Sequence, residues 1–116
     1  MKPFEFIKAA STEEAVAALA EHGPGIRILA GGTDLLVDLK HAGQSPGVVM
    51  DVSGIDDLGA ISVDDDGLHI GAGATHTAIM TDPLIAEHAP AMIDAAHTVG
   101  AVQTRNLGTI GGNLVT

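Results

Sequence analysis

The run Ile26-Arg27-Ile28-Leu29-Ala30 is cut off by Gly31-Gly32. This passage from β-branched residues into two glycines constrains the fold more than any other feature. A short apolar, β-branched run reads as a buried strand, and the glycines end it. The next segment, Asp34 to His41, places Leu35, Leu36 and Leu39 on one side of a short helix. Such a unit belongs in a sheet with a helix packed on it.

The same alternation runs through the first half of the chain. Phe4 to Ile7 reads as a strand. Ser11 and Glu14 have the spacing of a capping box for a helix over Ala15 to Glu21, which Gly23-Pro24-Gly25 stops. Val48 to Val52 is a third strand. Ala60 to Val63 and Leu68 to Ala72 pair as a hairpin around Asp64-Asp65-Asp66-Gly67, with Gly67 tolerating positive φ. Thr75 caps a helix over His76 to Met80, and Pro83 to His88 forms another. Pro90 opens a third that runs to Val99 and stops at Gly100. Ala101 to Thr116, rich in Gly, Thr and Asn, reads as loop. The order β-α-β-α-β, hairpin, helices is α+β or α/β in character.

Composition limits the core and the partners. The hydrophobic fraction is 46%, with two Phe and no Trp or Tyr, so the core is built from Ala, Val, Ile and Leu. A chain of 116 residues fits one small domain. Fifteen acidic residues against five Lys and Arg give a net charge of -10. That surface repels nucleic acid and anionic lipid. With no Cys, the chain carries no disulfide, thiolate cluster ligand or Cys-based zinc site. The N-terminus lacks a signal-peptide core, and no apolar run approaches the roughly 18 residues that span a bilayer. The expectation is a soluble, cytoplasmic protein. Its abrupt end after Gly111-Gly112-Asn113-Leu114-Val115-Thr116 reads as the front part of a longer polypeptide.

The glycine turn after Ala30 suits phosphate chemistry. The first turn of a helix has four backbone N–H groups without intrahelical partners, and its dipole favours an anion by about 0.3–1 kcal/mol. Glycines let phosphate oxygens reach that backbone, and Thr33 adds a hydroxyl donor. Neither Gly31-Gly32 nor Gly111-Gly112 has a Lys or Arg within its turn, so an acidic chain would rely on neutral donors there. Asp34 competes with phosphate for those donors, caps the helix, or accepts from ligand hydroxyls. A lone double glycine after a strand is most often only a tight turn, and this one is neither a Rossmann fingerprint nor a Walker A loop. Two of them, about 80 residues apart and alike in composition, carry more weight.

Other candidates are weaker. The six His make no metal-binding pair, so no metal site is expected. His76 reads as a surface residue at a helix start, or as a neighbour of a ligand. Asp64-Asp65-Asp66 lacks the spacing of a calcium loop, and Asp56-Asp57 reads as solvated loop. Arg105 either pairs with a phosphate or braces its loop against an acidic neighbour. Ser11, Ser45, Ser53 and Ser62 have no nucleophile-elbow setting, and no acid–base dyad stands out. No catalytic residue is assigned.

Ala30-Gly31-Gly32-Thr33-Asp34-Leu35-Leu36 and Arg105-Asn106-Leu107-Gly108-Thr109-Ile110-Gly111-Gly112-Asn113 resemble the two FAD-binding signatures of one family. It is the FAD-binding medium subunit of the molybdenum hydroxylases, the xanthine dehydrogenase and carbon monoxide dehydrogenase family. Ile70-Gly71-Ala72-Gly73-Ala74-Thr75 and the opening Phe4-Glu5-Phe6 also match its pattern. The resemblance covers essentially the whole chain. It implies a PCMH-type FAD-binding fold, with a first subdomain over roughly residues 1–55 and the start of a second over 56–116. It also implies FAD contacts from Leu29, Ala30, Gly31, Gly32, Thr33, Asp34 and Leu35, from Val99, and from Thr109, Ile110, Gly111, Gly112 and Asn113. Partners implied are a large molybdopterin subunit and a small [2Fe–2S] subunit, assembled as a dimer of heterotrimers. Electrons would pass from the iron–sulfur partner through FAD to NAD, quinone or another acceptor. Family members run well beyond the second signature. Two alternatives remain open: another PCMH-type flavin oxidoreductase, which would tether flavin through His or Cys, and a truncated or accessory domain that only associates with a partner.

High acid content with few lysines also occurs in proteins adapted to high salt. That reading predicts a thermal midpoint that rises with KCl; no gain at molar salt counts against it.

Overall fold

The computed structural model describes residues 4–33, 35 and 47–115. The expected helix from Asp34 to His41 lies outside them apart from Leu35. The chain divides into two compact units, Met1–Asp56 and Asp57–Thr116.

The first unit is a parallel three-stranded sheet. Strands β1 (Glu5–Lys8), β2 (Ile26–Leu29) and β3 (Val48–Asp51) lie in the order β1-β3-β2. The last strand in sequence thus takes the middle place, aligning Phe6 with Val49 and Arg27, and Ile7 with Met50 and Ile28. Val48, Val49 and Met50 form an unbroken apolar run, and all three are buried. Only a strand covered on both faces accepts such a run. The edge strands carry Glu5, Lys8 and Arg27, charges that discourage pairing with another chain.

Helix α1 (Thr12–His22) follows β1. The Ser11 Oγ accepts from the Glu14 amide at 3.1 Å. Glu14 Oε2 reaches back to the Ala10 amide at 2.7 Å, closing the box one residue before the cap itself. At the other end, Gly23 takes φ 61° and its amide donates to Leu19 O, a left-handed stop that suits glycine.

A 3-10 turn over Asp56–Gly59 leads into the second unit, which begins with a hairpin of β4 (Ile61–Asp64) and β5 (Gly67–Ile70). None of the described non-glycine residues has positive φ, and Gly67 sits at φ 130°. The backbone twist of the hairpin is therefore taken up by Gly67 after an unprimed turn. Asp64 Oδ1 accepts from the Asp66 amide and from His69 Nε2, both at 2.8 Å.

Five short helices follow: α2 (His76–Thr81), α3 (Pro83–His88), α4 (Ala91–His97), α5 (Val102–Leu107) and α6 (Ile110–Val115). None is long enough to be stable alone. They share a core of Ala74, Ile79, Ile85 and Ala96, with Ile61, Leu68, Ile70, Met80, Met92, Ile93 and Ile110 packed on it. Thr75 Oγ1 caps α2 by accepting from the Ala78 amide, and Asp82 Oδ1 caps α3 through the Leu84 amide.

The helices α5 and α6 correct the expectation of a loop over Ala101 to Thr116. Gly, Thr and Asn disfavour helix only weakly, and here tertiary contact outweighs propensity. Thr109 bridges to Thr75 in antiparallel fashion, which fixes the start of α6 against the 71–75 segment. That segment is held in turn by Gly71 and Gly73, whose missing side chains let it lie on the Leu58 backbone. The Gly73 amide donates to Leu58 O at 2.7 Å and the Gly71 amide to Ala60 O at 2.8 Å.

A Cβ on Gly71 would land on the Leu58 carbonyl, a backbone atom with no room to yield. Gly71→Ala should therefore cost roughly 3 kcal/mol by overpacking, whereas Gly59→Ala meets nothing nearer than Gly73 O at 3.8 Å and should be mild. Chemical denaturation of the two variants checks this. The hydrogen bond from His69, then that from the Asp66 amide, hold the Asp64 carboxyl below its ordinary value of 3.8. A carboxyl lowered on folding stabilises above the unfolded value and loses that contribution as pH falls through the folded one. Wild type should thus lose its advantage over Asp64→Asn only below pH 3.8; thermal melts across that range test it.

Candidate functional site

The two double-glycine turns differ in what their backbones leave available. In the first, Leu29 O ends the sheet by accepting from the Val52 amide at 3.0 Å. The chain then leaves the sheet through Ala30, Gly31, Gly32 and Thr33, all half-buried. Gly32 takes φ 76°, a conformation that a Cβ disfavours by about 1–2 kcal/mol. Among the described residues, the amides of Gly31, Gly32 and Thr33 meet no hydrogen-bond acceptor. Leu35 is half-buried, and Asp34 lies outside the described residues. This turn therefore has the neutral donors that an anion requires.

The second turn has spent its donors. The Ile110 amide goes to Ala74 O at 3.0 Å and the Gly111 amide to Ala72 O at 2.8 Å. The Gly112 amide goes to Thr109 Oγ1 at 3.0 Å and the Asn113 amide to Thr109 O at 3.1 Å. Thr109 is 7% exposed and acts as the cap of α6. A Cβ on Gly111 would lie 2.7 Å from Ala72 O, and one on Gly112 would lie 3.0 Å from Thr109 Oγ1. These glycines permit close backbone packing. The turn presents a surface without side chains, flanked by the exposed Asn113 amide group.

The partners of that turn, Ala72 and Ala74, escaped the reading of the sequence because their part is played by carbonyls. Only the glycine spacing at 71 and 73 hints at it. His76 departs from the expectation of a surface position. It is 5% exposed, its amide donates to Gly108 O at 3.1 Å, and its Nε2 has no partner among the described residues. Gly108 makes the room, since a Cβ there would lie 3.2 Å from His76 Cδ2.

Arg105 braces its neighbourhood, but not through an acid. Its Nη1 donates to the carbonyls of Gly100 and Val99 at 3.1 and 3.2 Å. Val99 is half-buried, two residues beyond α4. Among the described residues, no group of three His, Cys, Asp or Glu side chains is arranged to hold a metal. No helix among them is long and apolar enough to cross a membrane.

Among the described residues, the first turn leaves backbone donors open and the second does not; comparison with known proteins gives the family. Residues 2–116 match the family described as the FAD binding domain in molybdopterin dehydrogenase. The chain is 43% identical to the nicotinate dehydrogenase FAD-subunit of Eubacterium barkeri, covering 100% of this chain and 40% of that protein. The structure of carbon monoxide dehydrogenase from Hydrogenophaga pseudoflava superimposes with a TM-score of 0.92 at 33% identity, over 98% of this chain and 40% of that one. Quinoline 2-oxidoreductase from Pseudomonas putida 86 gives 0.92 at 34% identity, over 98% and 40%. The chain thus spans about 40% of the length of these relatives. By the match over nearly all its residues, the chain belongs to the family of FAD-binding domains of molybdopterin dehydrogenases.

Proposed function

We propose that this chain holds FAD within the medium subunit of a molybdenum-containing hydroxylase. The observation that carries the reading is the first glycine turn, whose amides at Gly31, Gly32 and Thr33 meet no acceptor among the described residues, at the end of a parallel sheet. In a domain of net charge -10, a pyrophosphate depends on such local dipoles rather than on the overall field. Leu29, Ala30, Gly31, Gly32, Thr33, Asp34 and Leu35 form the first contact segment. Thr109, Ile110, Gly111, Gly112 and Asn113 form the second, where the glycines admit the ligand closely and Asn113 offers a side-chain amide. Val99 lies toward the flavin ring.

Bound FAD supplies the redox chemistry, and the protein binds and orients it. That a similar protein is an FAD-subunit of nicotinate dehydrogenase supports a place in a multi-subunit complex. The complex would include a molybdopterin-binding large subunit and a [2Fe–2S] small subunit, as a dimer of heterotrimers in the cytoplasm. The chain would serve electron transfer from the iron–sulfur partner to NAD, quinone or another acceptor, without a substrate pocket of its own.

Flavin fluorescence titration tests the binding claim. Saturable uptake of one FAD by the full-length polypeptide is expected, and its absence would sink the reading. Gly32→Val should raise the Kd for FAD about tenfold or more, because a β-branched residue resists φ 76°.

A further inference from the structure

At the C-terminal end of α4, three carbonyls converge on one nitrogen. Arg105 Nη1 donates to Gly100 O at 3.1 Å, Val99 O at 3.2 Å and His97 O at 3.5 Å. Of the three, only the His97 carbonyl belongs to α4, whose last carbonyls lack intrahelical partners; the Val99 and Gly100 carbonyls lie just beyond its end, where a cation meets the negative end of the helix dipole. A charged donor makes the stronger kind of hydrogen bond. In a chain with fifteen acidic residues and five Lys and Arg, none of the described carboxylates pairs with this guanidinium. A scarce cation is thus committed to shaping backbone.

The residue most tightly held by this arrangement is Val99. Its amide donates to Ala96 O at 3.1 Å and its carbonyl accepts from Arg105. Both polar groups of its backbone are engaged. Arg105 itself is anchored on α5, where its amide donates to Ala101 O at 3.1 Å. A neutral side chain of similar length would leave these carbonyls to solvent and Val99 without its clamp.

We propose that Arg105 is a positioning residue for the flavin end of the cofactor site, acting through Val99. This rests on the reading that the chain binds FAD with Val99 toward the flavin ring. Arg105 sets the shape of the 97–100 segment and leaves the pyrophosphate turns untouched.

The test compares FAD with ADP, which carries the pyrophosphate but no flavin ring. Both are titrated against the full chain, its Arg105→Met variant and its Arg105→Lys variant. Arg105→Met should raise the Kd for FAD about tenfold, the scale of one lost charge-assisted hydrogen bond, while that for ADP moves less than roughly twofold. Emission of the bound flavin should shift toward that of free FAD. Lys, a shorter-reaching donor without the planar fork, should restore part of the preference. Parallel losses for both ligands would mark Arg105 as merely structural and overturn the proposal, as would no change in either. If Arg105→Met fails to fold, the Lys variant decides alone: its preference for FAD over ADP must fall. A wild-type chain that binds ADP but gains nothing from the flavin ring removes the role given to Val99, and this inference falls with it. A wild-type chain that binds neither ligand overturns the FAD reading itself.

Discussion

The second unit depends on backbones meeting where side chains would ordinarily keep them apart. Gly71 and Gly73 let one segment lie on the Leu58 backbone, and Gly111 brings the start of α6 onto Ala72. Hydrogen bonds then run directly between these stretches, from Gly73 to Leu58, Gly111 to Ala72 and Ile110 to Ala74. In a unit whose helices have six or seven residues, this lattice supplies order that helix length cannot. The apolar core of Ala74, Ile79, Ile85 and Ala96 is small. A core without large aromatic residues gains less from area and more from how closely the chain can approach itself.

The sequence declared the local elements and hid the long-range ones. Ser11 and Thr75 were legible as caps because a cap is decided by residues three or four apart. Gly67 was legible as the residue that closes the hairpin. The run Val48 to Val52 was legible as a strand, but its burial and its place between β1 and β2 depend on pairing across distant segments. The helices α5 and α6 were missed because the Gly, Thr and Asn around them read as loop and each helix is only six residues long. Their geometry comes from Thr75, Ala74 and Ala72, far upstream.

Of the candidate site, the first turn was legible as a local feature, a strand that ends in Gly-Gly-Thr, and among the described residues its amides meet no acceptor. The second turn reads the same on paper, yet its amides are consumed by the carbonyls of Ala72, Ala74 and Thr109 and by the Thr109 hydroxyl oxygen. Similar composition therefore conceals a difference between donor and shape. Arg105 and His76 teach the same point. Arg105 read equally as a phosphate partner or a loop brace, and its Nη1 gathers carbonyls; His76 read as surface or as a neighbour of a ligand, and it is buried in space left by Gly108.

The strand order of the first unit has a consequence for how the chain acquires its structure. β1 and β2 each pair with β3 and not with each other, so neither has a ladder partner until Val48–Asp51 has been made. On a ribosome, the first two strands and the helix between them emerge without the segment that joins them. Pairing at such sequence separation is slow compared with forming a helix or a local hairpin. The charges on Glu5, Lys8 and Arg27 then serve during that interval, keeping two unpaired strands from finding the wrong neighbour.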